Sequence, residues 1–364
     1  MKQEKIIAGF IGSGGIARSH AFSLNSLRYY YSDSPSIELE AVCSATRESR
    51  QSFARQFGFN KSPDLTDFIS DDKINTVFIL GPNKVHFEHL KAVTGMASLK
   101  RVYLEKPVCS NIKEEDAIAG LIKEHPGLKI QVGFQFLFTA AISEALILWK
   151  SGKLGNPIHF DLKYYHGDYL RKDYRDRRAS RLTPAPDGGA MADLGSHVIS
   201  LITAFLGNRL HITGALQAGH FEDVTQESDL FSQISLYDDS TKAVGTLSAS
   251  RISSGTGDHL SIKIFAEKGA LRYTTVSPDY YEYYLEDQSV WKRQMVGSNY
   301  KPATSFPSGH VPPGWLRSMI HAHYVFVTGN ENVPFIPDIE HGLVVQRLVR
   351  QTAEKLEEFR TLTA

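Results

Sequence analysis

The most constraining stretch of this chain is its first turn. Residues 6–11 (IIAGFI) are apolar or glycine and run directly into Gly12-Ser13-Gly14-Gly15-Ile16-Ala17, a G-x-G-x-x-A pattern. The spacing has a mechanical reason. Gly12 permits a tight turn out of a strand, Gly14 lets the backbone approach a pyrophosphate, and Ala17 allows the next helix to pack closely on that strand. Gly15 and Ile16 open the helix, whose N–H groups and positive dipole end face the phosphates. Any tight strand-to-helix turn can be rich in glycine. Position at the head of the first strand, inside a complete strand–helix–strand unit, is what makes this one a dinucleotide-binding fingerprint.

The order of elements behind it agrees. Strand-like runs at 5–11, 37–43, 76–80, 102–104 and 129–132 alternate with helix-length segments at 16–31, 48–57, 85–94 and 111–124. Such alternation predicts βαβ units and a parallel, doubly wound sheet, with a ligand crevice at the carboxyl ends of its strands. After residue 133 the texture changes. A helix at 140–151, a strand at 157–166, a basic loop at 169–187 and a helix at 189–206 lead into strands at 229–236, 242–251, 259–266, 270–273 and 281–285. Turns such as Tyr237-Asp238-Asp239-Ser240 join them. At about 150 residues per domain, the expectation is two domains: an α/β Rossmann domain over 1–133, and an α+β domain with a mostly antiparallel open sheet over 134–364. A long amphipathic helix at 337–360 is expected to pack back towards the first domain.

Composition enters as exclusions. Lys plus Arg and Asp plus Glu both number 40, so there is no net positive charge to neutralise phosphates, and generic nucleic-acid binding is not expected. No stretch approaches the ~18 consecutive apolar residues of a membrane span, and 6–11 is too short for a signal-peptide core. Two cysteines, Cys43 and Cys109, make no disulfide framework, and no Cys/His pair has zinc spacing, so no metal is expected. The expectation is a soluble protein of the cytoplasm.

The end of the second strand reports on the adenosine ribose. An acid there binds the 2′-hydroxyl of NAD, and its absence near an arginine admits the 2′-phosphate of NADP. Ser44 stands in the acid's place, followed by Thr46 and Arg47. The three can bind a phosphate, which leans the reading to NADP. Arg47 capping a surface turn is the other reading.

Three further motifs, in order behind the glycine turn, make the sequence resemble the Gfo/Idh/MocA family, named for glucose–fructose oxidoreductase and inositol dehydrogenase. Gly81-Pro82-Asn83-Lys84-Val85-His86, counted after a fourth strand, looks like the family's P-N-x-x-H turn. Glu105-Lys106-Pro107, after a fifth, matches E-K-P, and residues 188–197 (GGAMADLGSH) match G-G-x-x-x-D-x-G-x-H. The resemblance covers most of the chain. It implies NAD or NADP contacts from Pro82, Asn83, His86, Glu105, Lys106 and Gln135 beside those of the two turns already read, and it carries the family's catalytic triad onto Lys106, Asp193 and His197.

Residue chemistry stands beside that resemblance. Lys106 lies at the carboxyl end of a strand, and Pro107 keeps it out of helical backbone. A lysine beside a nicotinamide can hydrogen-bond a reacting oxygen and stabilise its developing charge; a plain surface lysine is the alternative. Asp193 and His197 are four apart on one helix and share a face. Imidazole is a natural acceptor for an alcohol proton as hydride leaves the same carbon, and Asp193 can orient the ring or bind a neighbouring hydroxyl. Ahead of Val198-Ile199-Ser200-Leu201-Ile202, a lone histidine otherwise reads as core.

The substrate side departs from the family. Many relatives have an Asn and an Arg after the strand entering the second domain; here residues 132–138 (VGFQFLF) offer Gln135, which can still hydrogen-bond a substrate hydroxyl, and three phenylalanines, either wall or core. Segment 171–181 holds six basic and two acidic residues, a local +4. It is a solvated loop, or it overhangs the crevice with Arg171, Arg175, Arg178 and Arg181 facing a carboxylate, sulfonate or phosphate. His166 and Tyr169, just ahead, join it as substrate candidates. Residues 309–315 (GHVPPGW) resemble the family's H-P-E-G substrate loop with Val311 and Pro312 interrupting, and make His310 and Trp315 candidates.

Together these imply an NAD(P)-dependent oxidoreductase acting on a secondary hydroxyl of a sugar, sugar derivative or cyclitol, with an anionic group expected on the substrate. The family allows a redox-assisted glycoside hydrolase that keeps NAD bound and would suit an acidic glycoside such as a sulfoquinovoside. It also allows a cofactor-sensing regulator without chemistry, against which Lys106, Asp193 and His197 argue. An open sheet and the family resemblance both imply a homodimer or homotetramer.

Overall fold

The computed structural model describes residues 4–31, 34–179, 182, 188–224, 229–296, 313–329 and 332–363. The chain forms two compact units, Met1–Gln135 with Leu316–Leu343, and Phe136–Trp315 with Val344–Ala364. The units are therefore not the contiguous stretches 1–133 and 134–364, because a late segment returns to the first.

In the first unit, β1 (Ile6–Ile11), β2 (Ile37–Cys43), β3 (Thr76–Ile79), β4 (Arg101–Leu104) and β5 (Lys129–Val132) make a parallel sheet in the order β2-β1-β3-β4-β5. Helices α1 (Gly15–Tyr30), α2 (Arg47–Phe57), α3 (Leu65–Ile69), α4 (His86–Thr94) and α5 (Ile112–Glu124) connect the strands. Strands covered on both faces read as unbroken apolar runs, which is why β1 and β3 were plain in the sequence. The winding direction reverses between β1 and β3, and the carboxyl ends there form the switch point at which such sheets bind ligands. The Pro82–Asn83 turn follows β3 and Glu105-Lys106-Pro107 follows β4. They are one strand earlier than the sequence count, since 58–75 holds only α3 and a single bridge from Lys61 to Ala41.

The second unit carries α6 (Ala140–Lys150), α7 (Lys172–Arg177) and α8 (Ser196–Leu206), with an eight-stranded sheet. Its strands are β6 (Pro157–Tyr165), β7 (Leu210–Ala218), β8 (Phe231–Asp238), β9 (Val244–Ser250), β10 (His259–Ala266), β11 (Gly269–Thr274), β12 (Tyr280–Leu285) and β13 (Val290–Met295), in the order β13-β12-β11-β10-β6-β9-β8-β7. All neighbours are antiparallel except β6 and β9. That one parallel pair ends both strands at the same edge, with His166 N–H donating to Ser250 O at 2.8 Å. Along β6, buried Phe160, Leu162 and Tyr164 alternate with outward His159, Asp161 and Lys163. The outward face carries Val244, His159, Phe265, Ala270, Tyr284 and Trp291 in one cross-strand row, with His159 and Phe265 stacked at 4.4 Å.

The sequence reading missed α9 (Pro313–Thr328), whose later part belongs to the first unit. It also read 172–177 as loop, where α7 stands. The last helix, α10 (Ile339–Thr363), begins after Pro337; Asp338 accepts the His341 N–H at 2.9 Å as its cap. Pro337 O accepts the Val132 N–H at 3.0 Å and so occupies the edge of β5. Among the described residues no helix is long and apolar enough to cross a membrane.

Burial holds His341 near a pKa of about 4, and burial with the Arg317 charge does the same for His321. Both rings bind protons more weakly folded than unfolded. Their contribution is complete above the ordinary value of 6.5 and is lost as pH falls from there towards about 4. The unfolding free energy should therefore decline over that window by up to ~1.4 kcal/mol per pH unit for each ring, and the urea midpoint with it. A flat midpoint across it would contradict the assignment.

Candidate active site

Two glycines of the first turn do different work. Gly12 sits at φ +124°, and a Cβ there would lie 2.7 Å from the Leu80 carbonyl carbon. The ends of β1 and β3 meet backbone to backbone, with Leu80 N donating to Ile11 O at 2.8 Å. Gly14 instead faces open space, with nothing within 4 Å of its would-be Cβ, and the same holds for Gly15. Behind them Ile16 is half-buried and Ala17 is packed inside. The α1 N-terminus has no side-chain cap and no acid in its first turn. By contrast, Thr46, Asp64 and Asn111 cap α2, α3 and α5. Bare N–H groups beside two glycines that leave room are what a dinucleotide phosphate fits.

At the ribose turn, Thr46 Oγ1 accepts the Ser49 N–H at 3.3 Å, so Thr46 and not Arg47 caps the helix. Ser44 Oγ donates to Thr46 O at 3.4 Å, and Arg50 holds the Ser44 carbonyl at 3.2 Å. Arg47 is exposed and enters no ion pair among the described residues.

After β4, Glu105 is buried and engaged on both oxygens: His20 Nε2 lies 2.9 Å from Oε1, and Lys106 N donates to Oε2 at 3.3 Å. His20 Nδ1 is 2.8 Å from His323 Nε2, with both rings fully buried. Burial drives His323 well below the ordinary histidine pKa, so it is neutral and shares a single proton with His20 across this contact or accepts one from it. Gly133 is needed beside this carboxylate, since a Cβ would lie 2.7 Å from Glu105 Oε1. Pro82 and Asn83 lie on the turn at the end of β3, and Gln135 is buried at the last position of the first unit. His86 requires correction as a cofactor contact. Its ring is enclosed, with both nitrogens on carbonyl oxygens of Pro107 and Gly81.

The second unit builds its cluster from another glycine. Gly189 has φ +83°, and a Cβ there would overlap Asp229 Oδ1 at 1.5 Å. Buried Asp229 accepts the Met191 N–H at 2.7 Å and, through its main-chain oxygen, the Ala190 N–H at 2.9 Å, which starts the helix. A wide π-turn at Met191–Gly195 then carries Asp193, and α8 carries His197 in its first turn. Asp193 Oδ2 accepts from Arg251 Nη2 at 2.8 Å; Arg251 is 1 % exposed and lies 4.7 Å over the Tyr169 ring. His197 meets Phe136 and Tyr164 edge-on at 5.2 and 5.9 Å. Tyr164 Oη donates to Asp258 Oδ1 at 3.0 Å. His166 Nδ1 accepts the Asp168 N–H at 3.3 Å, placing its proton on Nε2. Burial lowers the His166 pKa against the pull of Asp193, Asp258 and Asp168.

Sequence reasoning missed Arg251, Asp258, Tyr164 and Asp229. Only Arg251 had a signal, a charged residue closing an otherwise buried strand.

The basic segment is sorted by burial. Arg175, 5 % exposed, donates twice to Asp223 at 2.9 Å, to Tyr169 O at 2.8 Å and to Leu170 O at 3.0 Å. It ties the unit together and is not a substrate arginine. Tyr169 is likewise core, clustered with Val224 and Leu230. Arg177 pairs with Asp173 and Lys172 with Asp176 on the exposed helix, contacts of little energy. Arg171 and Arg178 stay exposed, 5.6 and 5.8 Å from the Tyr174 ring. Arg181 and His310 lie outside the described residues, and Trp315 has its backbone in α9. No cluster of His, Cys, Asp and Glu able to hold a metal occurs among the described residues.

Known proteins resemble both parts of the chain. The profile of an oxidoreductase family with an NAD-binding Rossmann fold (GFO_IDH_MocA) matches residues 6–134, and that of the GFO/IDH/MocA C-terminal domain matches 143–272. Glucose-6-phosphate 3-dehydrogenase of Bacillus subtilis is 26% identical over 285 residues, 75% of this chain and 76% of that protein. A dTDP-3,4-didehydro-2,6-dideoxy-alpha-D-glucose 3-reductase of Streptomyces violaceoruber is 23% identical over 202 residues, 56% of either chain. Levoglucosan dehydrogenase in complex with NADH and levoglucosan shares the fold at TM-score 0.81 and 18% identity, over 98% of both chains. An inositol dehydrogenase homolog complexed with NAD+ from Azotobacter vinelandii does so at 0.81 and 17%, over 98% of this chain and 96% of that one.

The contrast between the glycines is testable. Gly14→Val should fold normally yet bind NAD(P) at least ~10-fold more weakly, the loss of one charge-assisted phosphate contact. Gly12→Ala should cost ~1–3 kcal/mol of stability, through overpacking and strain. Calorimetric titration and thermal melts check both; unchanged affinity in a folded Gly14→Val protein would remove the site.

Proposed function

The chain belongs to the Gfo/Idh/MocA family of NAD(P)-dependent oxidoreductases, and on that premise we propose that it moves hydride between a nicotinamide dinucleotide and a secondary hydroxyl, or the matching ketone, of a sugar, sugar derivative or cyclitol. The observation that carries the substrate half is the polar floor of the second unit. Asp193, His166 and Asp258 interact electrostatically with one another, and Tyr164, bound to Asp258, meets His197 edge-on; these side chains offer donors and acceptors to a polyol, while Phe136 supplies an apolar edge. Both curated relatives cited above are named for chemistry at carbon 3 of a hexose, so carbon 3 of a hexopyranose is the reacting position we favour.

The roles follow from chemistry. The nicotinamide ring, when bound, supplies the hydride acceptor or donor. His197 accepts the hydroxyl proton, Lys106 polarises the reacting oxygen, and Asp193, held by Arg251, binds a neighbouring hydroxyl. Gly12, Gly14, Gly15, Ile16 and Ala17 would hold the pyrophosphate. Ser44 in place of an acid, with Arg47 exposed, supports acceptance of the NADP 2′-phosphate. With Arg175 committed to Asp223, Arg171 and Arg178 remain to receive an anionic group. The open outward face of the eight-stranded sheet supports a homodimer or homotetramer.

Neutral sugars, phosphorylated sugars and aryl glycosides should be screened with both cofactors, following reduced cofactor and released aglycone together. Net cofactor reduction is expected, and His197→Ala should turn over ~10²–10⁴-fold more slowly with cofactor binding intact. Aglycone release without net reduction would establish the redox-assisted hydrolase instead. Arg171→Ala or Arg178→Ala should lower kcat/KM for a phosphorylated sugar about 10-fold and spare its neutral counterpart. Equal treatment of the two sugars by both variants would mean a solvated helix.

A further inference from the structure

His86, the first residue of α4, is 1 % exposed. Its Nδ1 lies 2.7 Å from the Pro107 carbonyl oxygen and its Nε2 lies 2.8 Å from the Gly81 carbonyl oxygen. A carbonyl oxygen only accepts hydrogen bonds. A neutral imidazole has one N–H and one lone pair. In either tautomer, then, one of these contacts would set lone pair against lone pair at hydrogen-bond distance, where burial keeps water from relieving it. Only the doubly protonated ring donates to both.

Charged and titratable groups bear on the ring from three elements. Glu105 bears on it from the end of β4, Glu114 from α5, and His89 from the next turn of α4. Burial is the largest influence and pushes the ring's pKa below the ordinary histidine value, against the pull of the two carbonyls and the two carboxylates. The paired carbonyl geometry decides between them, because burial of a neutral ring would leave a main-chain oxygen facing a lone pair.

We infer that His86 is held as an imidazolium and is a positioning residue, tying the turn after β3 to the turn after β4 one peptide beyond Lys106. Lys106 is then bracketed. Glu105 on one side is fixed through His20, and Pro107 on the other through His86. Losing the second proton turns one of the two ties, to Pro107 or to Gly81, repulsive, so the two turns are no longer held together and Lys106 loses its fixed departure from the strand. The charge assignment stands on the two contacts alone, while the consequence for Lys106 rests on its role under Proposed function.

The test uses the full chain with ¹⁵N-labelled histidine and long-range ¹⁵N–¹H correlation spectra, which count the protons on each ring. At about pH 8, well above the ordinary histidine pKa, one ring should keep both nitrogens protonated, and its signal should vanish in His86→Asn. If every ring is neutral there, the inference is overturned. For the positioning half, His86→Asn should lower kcat about 10–100-fold with the cofactor KM little changed. The wild-type alkaline loss of kcat should titrate together with the His86 signal. A purely structural histidine would lower the melting temperature without moving the shape of the pH profile. If His86→Asn does not fold, the wild-type spectrum, assigned through bonds to the backbone, and the wild-type pH profile decide. A charged ring that titrates apart from kcat would overturn the link to Lys106 and leave the hydride-transfer reading untouched.

Discussion

β1 and β3 run so close at their carboxyl ends that residue 12 has no room for a side chain. That approach makes the switch point of the first sheet, turns the chain sharply into α1, and leaves the helix N-terminus bare in front of Gly14 and Gly15. The second unit repeats the device with different parts. Gly189 gives up its Cβ to Asp229, whose carboxylate starts the helix that carries Asp193 and His197. In both units a glycine at positive φ fixes where a helix begins, and the helix start fixes the chemistry.

Charge placement follows from these starts. The first unit keeps an acid, Glu105, enclosed among histidines beside a lysine. The second keeps an arginine, Arg251, enclosed beneath carboxylates. An enclosed charge with a directed partner is costly to move, and this is why Lys106 and Asp193 leave their turns in defined directions. The exposed charges of α7 have no such constraint, and the only arginine there with a fixed position, Arg175, is the one taken out of solvent by Asp223.

Much of the first unit was legible because parallel strands buried on both faces announce themselves as apolar runs, and because motif spacing reports turn geometry directly. The cluster around His197 was legible only in part. Asp193 and His197 carry a local i, i+4 signal, whereas Arg251, Tyr164 and Asp258 join them through strand pairing across 58 to 94 residues in sequence. His323 was invisible for the same reason, being 303 residues from His20 in a helix the sequence reading did not assign. Local charge misled at 171–181. A run of basic residues reads as solvated or ligand-facing, and nothing local shows that Asp223 will claim Arg175. Tyr169 and His86 misled in the opposite sense, since polar atoms suggested ligands where main-chain and ring partners had already taken them.

Direct transfer of hydride between substrate carbon and nicotinamide is the central claim, and isotope transfer measures it without any assumption about which residue assists. The full chain would be incubated with oxidised cofactor and a hexopyranose that is a substrate, deuterated at carbon 3, and the reduced cofactor read by mass spectrometry and proton NMR. One deuterium at C4 of the nicotinamide is the expected result. Oxidised sugar formed alongside reduced cofactor that carries no deuterium, with the label lost to water, would contradict it.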